Sequence, residues 1–367
     1  MSFIDTISIL ESKKWNNIVR SFSDHDIYYL SNYLKAFQIH GDGEPELLYY
    51  NSSDLRGIYA IMKRDIALFD PFKNILPTNS YFDIITPYGY GGFIFEGNTS
   101  HDNLLLFNKV YSDFLKSKNI ISDFTRFHPL LNNQNYFRKF SSVIDLGKTI
   151  SIELQSPAAI WNNFSGKNKN IIRKAKKNNI EIKHGKDWSV LEEFIKIYNS
   201  MLKRNNADPY YYFNKNFFNS VKNDLHNNYE IFYACCDNQI ISASIILYAN
   251  NKMHYHLSGT LHEYRSLAPT NLLLYEASCW GIEQGFSSFH LGGGLGSRED
   301  NLFLFKKAFN KKEDHQFSIG KRIPDNNAYL QLVELRRKTD SSFNINEQTS
   351  FFPLYRFTTQ TKSLIPD

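Results

Sequence analysis

Apolar residues recur along this chain with periods of about 3.6 and about 2, and their succession sets out its elements. DIYYLSNYLKAFQIHG, residues 26–41, has helical spacing and stops at Gly41. PELLYYN and RGIYAIMKRDI, split at NSSDL, predict a β-hairpin, and YFDIITP a third strand broken by Pro87 and by Gly89, Gly91 and Gly92. HDNLLLFNKVYSDFLKSKN places apolar side chains at 104, 107, 111, 114 and 115, a helix. SDFTRFHP is another strand, and FSSVIDL closes this block near Gly147.

A second block repeats the logic. ISIELQ predicts a short strand, PAAIWNNF a helix opened by Pro157, NIIRKAKKNN a basic helix and IEIKH a strand. VLEEFIKIYNSMLKRN and NKNFFNSVKNDL are helical. YEIFYACC, QIISASIILYA and KMHYHLSGT are three successive strands, the first two joined by the turn signal DN. PTNLLLYEASCWGIEQG is a long helix from Pro269 to Gly285. SSFHLGGG is a strand running into glycines, NLFLFKKAFN a short helix and HQFSIGKRI a last strand.

This order predicts an α/β fold with a mixed sheet rather than a doubly wound one. The expected domains are 1–147 and 148–322, followed over 323–367 by a C-terminal helix, NAYLQLVELRRK, and a partly ordered tail. LGGGLGSRED is glycine-rich but lacks the lysine spacing of a P-loop, and GxGxxG is absent, which argues against a nucleotide triphosphatase.

Composition changes this picture little. The chain is 42% hydrophobic and 22% charged, which excludes wholesale disorder. A net charge of +5 over 367 residues is too small for a duplex-DNA binder. The 38 asparagines and abundant Lys and Ile resemble the codon bias of an AT-rich genome. Cys235, Cys236 and Cys279 show no metal or disulfide spacing and read as small hydrophobes in a reducing compartment. The N-terminus lacks the basic and apolar regions of a signal peptide, and no apolar run approaches the ~20 residues of a spanning helix. The expectation is a cytoplasmic protein without a membrane span.

Several segments in order resemble the Fem family of aminoacyl transferases and its relatives in the GNAT acyltransferase superfamily. They are DIITPYGYGG, SDFTRFHPLLNN, GKNKNIIRKAKKNNIEI, YHLSGTLHEYRSLAPTNLLLYEASCWGIEQGF, FHLGGG and LFKKAFN, spanning about residues 25–322. The resemblance implies tandem GNAT-like domains. No heptad run marks the coiled-coil arm of longer members, so the chain resembles the armless type. It also implies a strand that splays from its neighbour before the long helix, and an anionic carrier at that helix N-terminus. The corresponding stretch, Ser266 to Asn271, has no glycine, and Pro269 removes one N–H. This departure favours aminoacyl-tRNA over acyl-CoA as co-substrate without excluding the thioester; neither is a resident cofactor.

Phe305 and Lys306 resemble the family's Phe-Lys motif, which implies a lysine stabilising the oxyanion formed when an amine attacks an acyl carbonyl; a solvated basic face, with Lys307, Lys311 and Lys312, is the rival. Lys167, Lys169, Arg173, Lys174, Lys176 and Lys177 are the densest positive stretch. On a helix Lys169, Arg173 and Lys176 or Lys177 share a face suited to a diphosphate-linked acceptor or a tRNA acceptor arm, or simply to water. Tyr88 and Tyr90, between glycines, suit a sugar or uracil; Asp83 suits an amine; Arg126 is a phosphate clamp or a core ion pair. Arg265, ahead of the long helix, is a further substrate-binding candidate. His254 and His256 alternate without a third metal ligand; either is a general-base candidate, and His256 is also a substrate-binding candidate.

The expected activity is acyl or aminoacyl transfer to an amine of a cell-envelope precursor, peptidoglycan stem peptide or amino-sugar nucleotide, without a covalent enzyme. The alternatives are acetyl-CoA-dependent N-acetylation of a nucleotide sugar or small amine, and a non-catalytic anion-binding module. Expected partners are the amine acceptor and the tRNA arm, with peripheral contact to a lipid-linked precursor, and no DNA.

Overall fold

The computed structural model describes residues 3–312, 314–343 and 350–358. In chain order the elements are β1 (Phe3–Ser8), α1 (Ser12–Arg20), α2 (Ser31–His40), β2 (Glu44–Asn51), β3 (Leu55–Asp65), β4 (Phe82–Ile85), β5 (Ile94–Gly97), α3 (His101–Ser117), β6 (Ile120–Arg126) and β7 (Ser142–Glu153). There follow α4 (Pro157–Asn163), α5 (Gly166–Lys177), β8 (Glu181–Gly185), α6 (Trp188–Arg204), α7 (Lys215–Asp224), β9 (Tyr229–Cys236), β10 (Gln239–Ala249) and β11 (Lys252–Thr260). The last are α8 (Pro269–Glu283), β12 (Ser288–Gly292), α9 (Asn301–Lys307), β13 (His315–Arg322) and α10 (Asn326–Thr339). They form two compact units, one of Met1–Leu146 with Gln316–Asp367, the other of Gly147–His315.

In the first unit the strand order is β1-β2-β3-β4-β6-β13, with β5 also on β3. β2 and β3 make the expected hairpin from Glu44↔Lys63 to Asn51↔Arg56, and β4 runs parallel to β6. α2 ends where Gly41 turns to φ +105° and returns its N–H to Phe37 and Gln38. Phe107, Tyr111 and Leu115 of α3 bury against Leu48, Tyr50, Tyr59 and Phe93. The sequence pattern passes over β1 and α1. β1 is a mostly exposed edge strand, and α1 buries only Trp15, Asn16 and Val19.

Two elements differ from the sequence reading. FSSVIDL and ISIELQ are halves of one strand, β7, which runs straight through Gly147. HQFSIGKRI does not close the second domain: Ile319–Arg322 pair antiparallel with Asp123–Arg126 of β6. α10 then lays Tyr329, Leu332 and Val333 into a core with Phe124, Ile319, Phe352 and Tyr355. The tail segment 350–358 is thus part of the first unit's core; residues 344–349 and 359–367 of the expected tail lie outside the described residues.

In the second unit the order is β7-β12-β11-β10-β9-β8. Asp237 and Asn238, both at positive φ, make the tight turn between β9 and β10. β11 and β12 are parallel but register only through Lys252↔Ser288, Met253↔Phe289 and His254↔His290, after which β11 runs on to Thr260. Their pairing ends at His290, two residues before β12 does, and α8 follows β11 through the turn His262–Leu267. Opposite β10 the register skips His256, so His256 is the extra residue of a β-bulge. Among the described residues no helix exceeds 17 residues, and none is long and apolar enough to cross a membrane.

Candidate functional site

The second unit carries the most distinctive chemistry, at the turn after β12. A Cβ on Gly294 would lie 2.0 Å from the Arg298 carbonyl and 2.4 Å from Asp300 Oδ1, so only glycine lets this turn close. Asp300 then caps α9, accepting from Phe303 N–H at 2.9 Å and from Leu295 N–H at 3.2 Å. Phe303 packs inward, and Lys306, three residues on, shares its face.

Lys306 is therefore buried, 8% exposed, and its Nζ donates to the Gly293 carbonyl at 2.5 Å. Burial pushes its ammonium down to about 8, against the opposing pull of Asp300. Phe305 is half-buried and meets the Phe309 ring edge-on at 5.5 Å. Lys307 is paired with Asp314 at 3.3 Å. The two adjacent lysines thus have different environments, one desolvated and one at the surface.

The N-terminus of α8 is built without glycine, as the sequence suggests. Ala268 takes the left-handed conformation, φ 52° and ψ 49°, and Pro269 starts the helix. A row of hydroxyls abuts it: Thr270 Oγ1 lies 2.9 Å from Thr260 Oγ1 and 3.3 Å from Ser242 Oγ. Asn271, in the same turn, donates to the buried Asn168 of α5 at 2.8 Å.

α5 begins at the Ser165 cap, whose Oγ accepts from Asn168 N–H at 3.2 Å. Lys167 and Arg173 are exposed and Lys169 is half-buried. Arg173 lies 5.3 Å from the Trp161 ring, while Lys176 pairs with Glu276 at 2.8 Å and sits 4.9 Å from the Tyr275 ring. The stripe is thus a basic, aromatic-backed surface of α4, α5 and α8. Arg265 is exposed on the turn His262–Leu267 that leads to α8.

His256 does not suit the general-base alternative. Burial, with the neighbouring His254, pushes its imidazole down to about 3, so it is neutral and only weakly basic at physiological pH.

In the first unit, Asp83 is fully buried and cannot meet an acceptor amine. Its carboxylate is held by Arg356, by Arg64 at 2.6 Å and by the Tyr355 hydroxyl at 3.2 Å. Burial alone pushes this carboxyl up, but the two guanidiniums outweigh it and hold it below the ordinary range. Sequence reasoning missed this pairing because Arg356 is 273 residues away in the tail.

Tyr88, Tyr90 and Arg126 are brought to one end of the first unit. The Gly91 N–H donates to the Arg126 carbonyl at 2.7 Å, pinning the PYGYGG loop to the end of β6. Tyr88 stacks on Phe37 at 5.8 Å, and Tyr90 meets His128 at 5.7 Å and Phe317 at 5.6 Å. Arg126 is half-buried, 5.2 Å from the Phe124 ring. A buried pair that sequence reasoning did not foresee, Asp26 and His128, lies beside this loop with Nε2 to Oδ2 at 3.0 Å. The Leu130 N–H donates to His128 Nδ1 at 3.3 Å, which makes Nε2 the proton-bearing nitrogen.

Residues 166–299 match the acetyltransferase (GNAT) domain family model. The chain is 26% identical over 176 residues to the UDP-N-acetylmuramoylpentapeptide-lysine N(6)-alanyltransferase of Weissella viridescens, a match covering 47% of this chain and 51% of that enzyme. The match thus spans about half the length of that curated relative. In fold the chain is similar to FemX, with a TM-score of 0.64 at 13% identity, over 90% of this chain and 99% of that one. It is also similar to the C-terminal domain of a putative lysylphosphatidylglycerol synthetase from Agrobacterium fabrum, with a TM-score of 0.54 at 10% identity, over 88% and 94% of the two chains. The resemblance seen in the sequence therefore holds: residues 166–299, within the second unit, match a GNAT domain model, and the mixed α/β fold is similar to that of FemX.

Proposed function

We propose that this protein is an acyltransferase that moves an aminoacyl group onto an amine of a cell-envelope precursor, a peptidoglycan stem peptide or a nucleotide-linked amino sugar. The observation that carries this reading is Lys306, a buried ammonium moored to the turn after β12, in the unit where β11 pairs with β12 only as far as His254 and His290. The acceptor amine attacks the acyl carbonyl carbon of the donor ester. As the C–N bond forms, negative charge gathers on the carbonyl oxygen, and the Lys306 ammonium donates a hydrogen bond to it in a poorly hydrated setting. The tetrahedral intermediate collapses, the carrier oxygen leaves with the bond electrons, and the amine's proton balances the departing alkoxide. A single displacement fits, with Lys306 held against the Gly293 carbonyl as the hydrogen-bond donor to the oxyanion.

The α5 stripe of Lys167, Lys169 and Arg173 serves as the anion-binding face for a charged tRNA end. Exposed cations beside Trp161 and Tyr275 supply both charge and a stacking surface. Arg265 extends the positive surface toward α8. Tyr88, Tyr90 and Arg126 serve the acceptor; Asp83 does not. The alanyl transfer named for the Weissella relative supports the aminoacyl reading.

A second reading, acetyl-CoA as donor, draws on the acetyltransferase domain match. Pro269 and the glycine-free turn weigh against it. Both donors should be offered in parallel to the purified protein with a stem-peptide nucleotide acceptor. Transfer from aminoacyl-tRNA alone supports the first reading; transfer from acetyl-CoA alone overturns it. The site of action expected from this reading is the cytoplasmic face, where such precursors are assembled.

A further inference from the structure

Asn168 lies between Lys167 and Lys169 in sequence, yet it is 1% exposed. Its carboxamide joins three elements. Oδ1 accepts from Asn271 Nδ2 in the first turn of α8 at 2.8 Å, and Nδ2 donates to the Ala308 carbonyl just past α9 at 3.4 Å. The same carbonyl accepts the Ser165 N–H at 2.9 Å, and Lys311 N–H donates to the Asn163 carbonyl at 3.3 Å.

These bonds clasp one end of a short helix. α9 has seven residues, too few to hold a setting by its own hydrogen bonds. Its start is held by Asp300 and the glycine turn, and its end by Ser165 and Asn168. Lys306 stands two residues before the clasped carbonyl. A buried carboxamide with both polar atoms engaged is costly to leave half-satisfied, so the clasp admits one arrangement.

We propose that Asn168, together with Asn271, is a positioning residue that sets the rotation of α9 and so the place of Lys306 Nζ. It ties that setting to the basic first turns of α5, where the polyanionic donor is read to bind. The proposal rests on the reading of Lys306 given above, but its test need not.

The full-length protein is labelled with trace acetic anhydride across a range of pH, and mass spectrometry of its peptides gives the titration midpoint of each lysine. Lys306 should show a midpoint of about 8. In Asn168→Ala and in Asn271→Ala that midpoint should rise by roughly one unit or more, as a loosened α9 lets the ammonium reach water. The double variant should rise no further than the larger single one, since both break one junction. Where Asn168→Ala fails to fold, Asn168→Asp keeps the acceptor for Asn271, loses the donor to Ala308 and should move Lys306 in the same direction. In turnover the single variants should lose about tenfold in kcat with acceptor KM within about twofold. An unchanged Lys306 midpoint in the single variants overturns the proposal. Full turnover in Lys306→Ala would instead remove the chemistry from Lys306 and leave the positioning result standing, so the two failures are told apart.

Discussion

Lys306 donates its ammonium to the carbonyl of Gly293 across 2.5 Å, which ties the cation of α9 to the turn leaving β12. The ammonium is desolvated, and a desolvated cation costs folding free energy. Replacing it with an apolar isostere separates function from stability. Lys306→Met should lose about a hundredfold or more in kcat, the scale of one oxyanion donor. It should also be more stable at pH 7, by about 1–2 kcal/mol once the lost hydrogen bond to Gly293 is set against relief of the buried charge. Chemical denaturation of both proteins checks this.

The pH dependence of the same group has a definite sign. Its folded value, about 8, lies below the ordinary lysine value of 10.5. The folded protein therefore releases this proton before the unfolded chain does, and stability from this group rises with pH between about 8 and 10.5. The advantage of Lys306→Met should shrink over that window. Turnover should fall on the alkaline side, with a midpoint near 8, as the proposed oxyanion donor loses its charge.

Asp83 is expected to matter for stability and not for the acceptor. Asp83→Ala strands Arg64 and Arg356 without their shared carboxylate and should cost about 3–5 kcal/mol. Acceptor KM in the surviving folded fraction should be unchanged. Because the folded carboxyl titrates below its ordinary 3.8, its contribution is present above about that pH and is lost as pH falls through the lowered folded value. Acid unfolding followed by circular dichroism, wild type against Asp83→Asn, checks the window.

How much of this was legible in the sequence varies with the range of the interaction. Periodicity and glycine placement showed the hairpin of β2 and β3, the helix α8 and the turn before α9, because those signals are local. Lys306 stood out from Lys307 only through a motif resemblance; its burial depends on Phe303 and the Asp300 cap putting one face inward. The pairing of Asp83 with Arg356 joins residues in distant segments, and nothing in the surroundings of either announces it. Asn168 was hidden in a run of lysines, although its helical offset from Ile172 and Ala175 places it on the buried face. The alternation that would put His254 and His256 on one face is interrupted because His256 is the extra residue of a bulge, which the sequence does not mark.

The α5 stripe should behave as a charge surface. Lys169→Ala and Arg173→Ala should each raise KM for a tRNA donor severalfold and flatten the dependence of KM on salt, with stability changed by less than about 0.5 kcal/mol. Lys176→Ala should do less, because its charge is already engaged by Glu276. Donor titrations at two salt concentrations separate these cases.

The most direct measurement is mass spectrometry of a UDP-linked stem-peptide acceptor incubated with aminoacyl-tRNA and either wild-type protein or Lys306→Ala. The wild type should add the mass of one amino acid residue to the acceptor amine, and Lys306→Ala should add almost none over the same interval. Equal product from both proteins, or no acyl product from the wild type with either tRNA or coenzyme A donors, would contradict this.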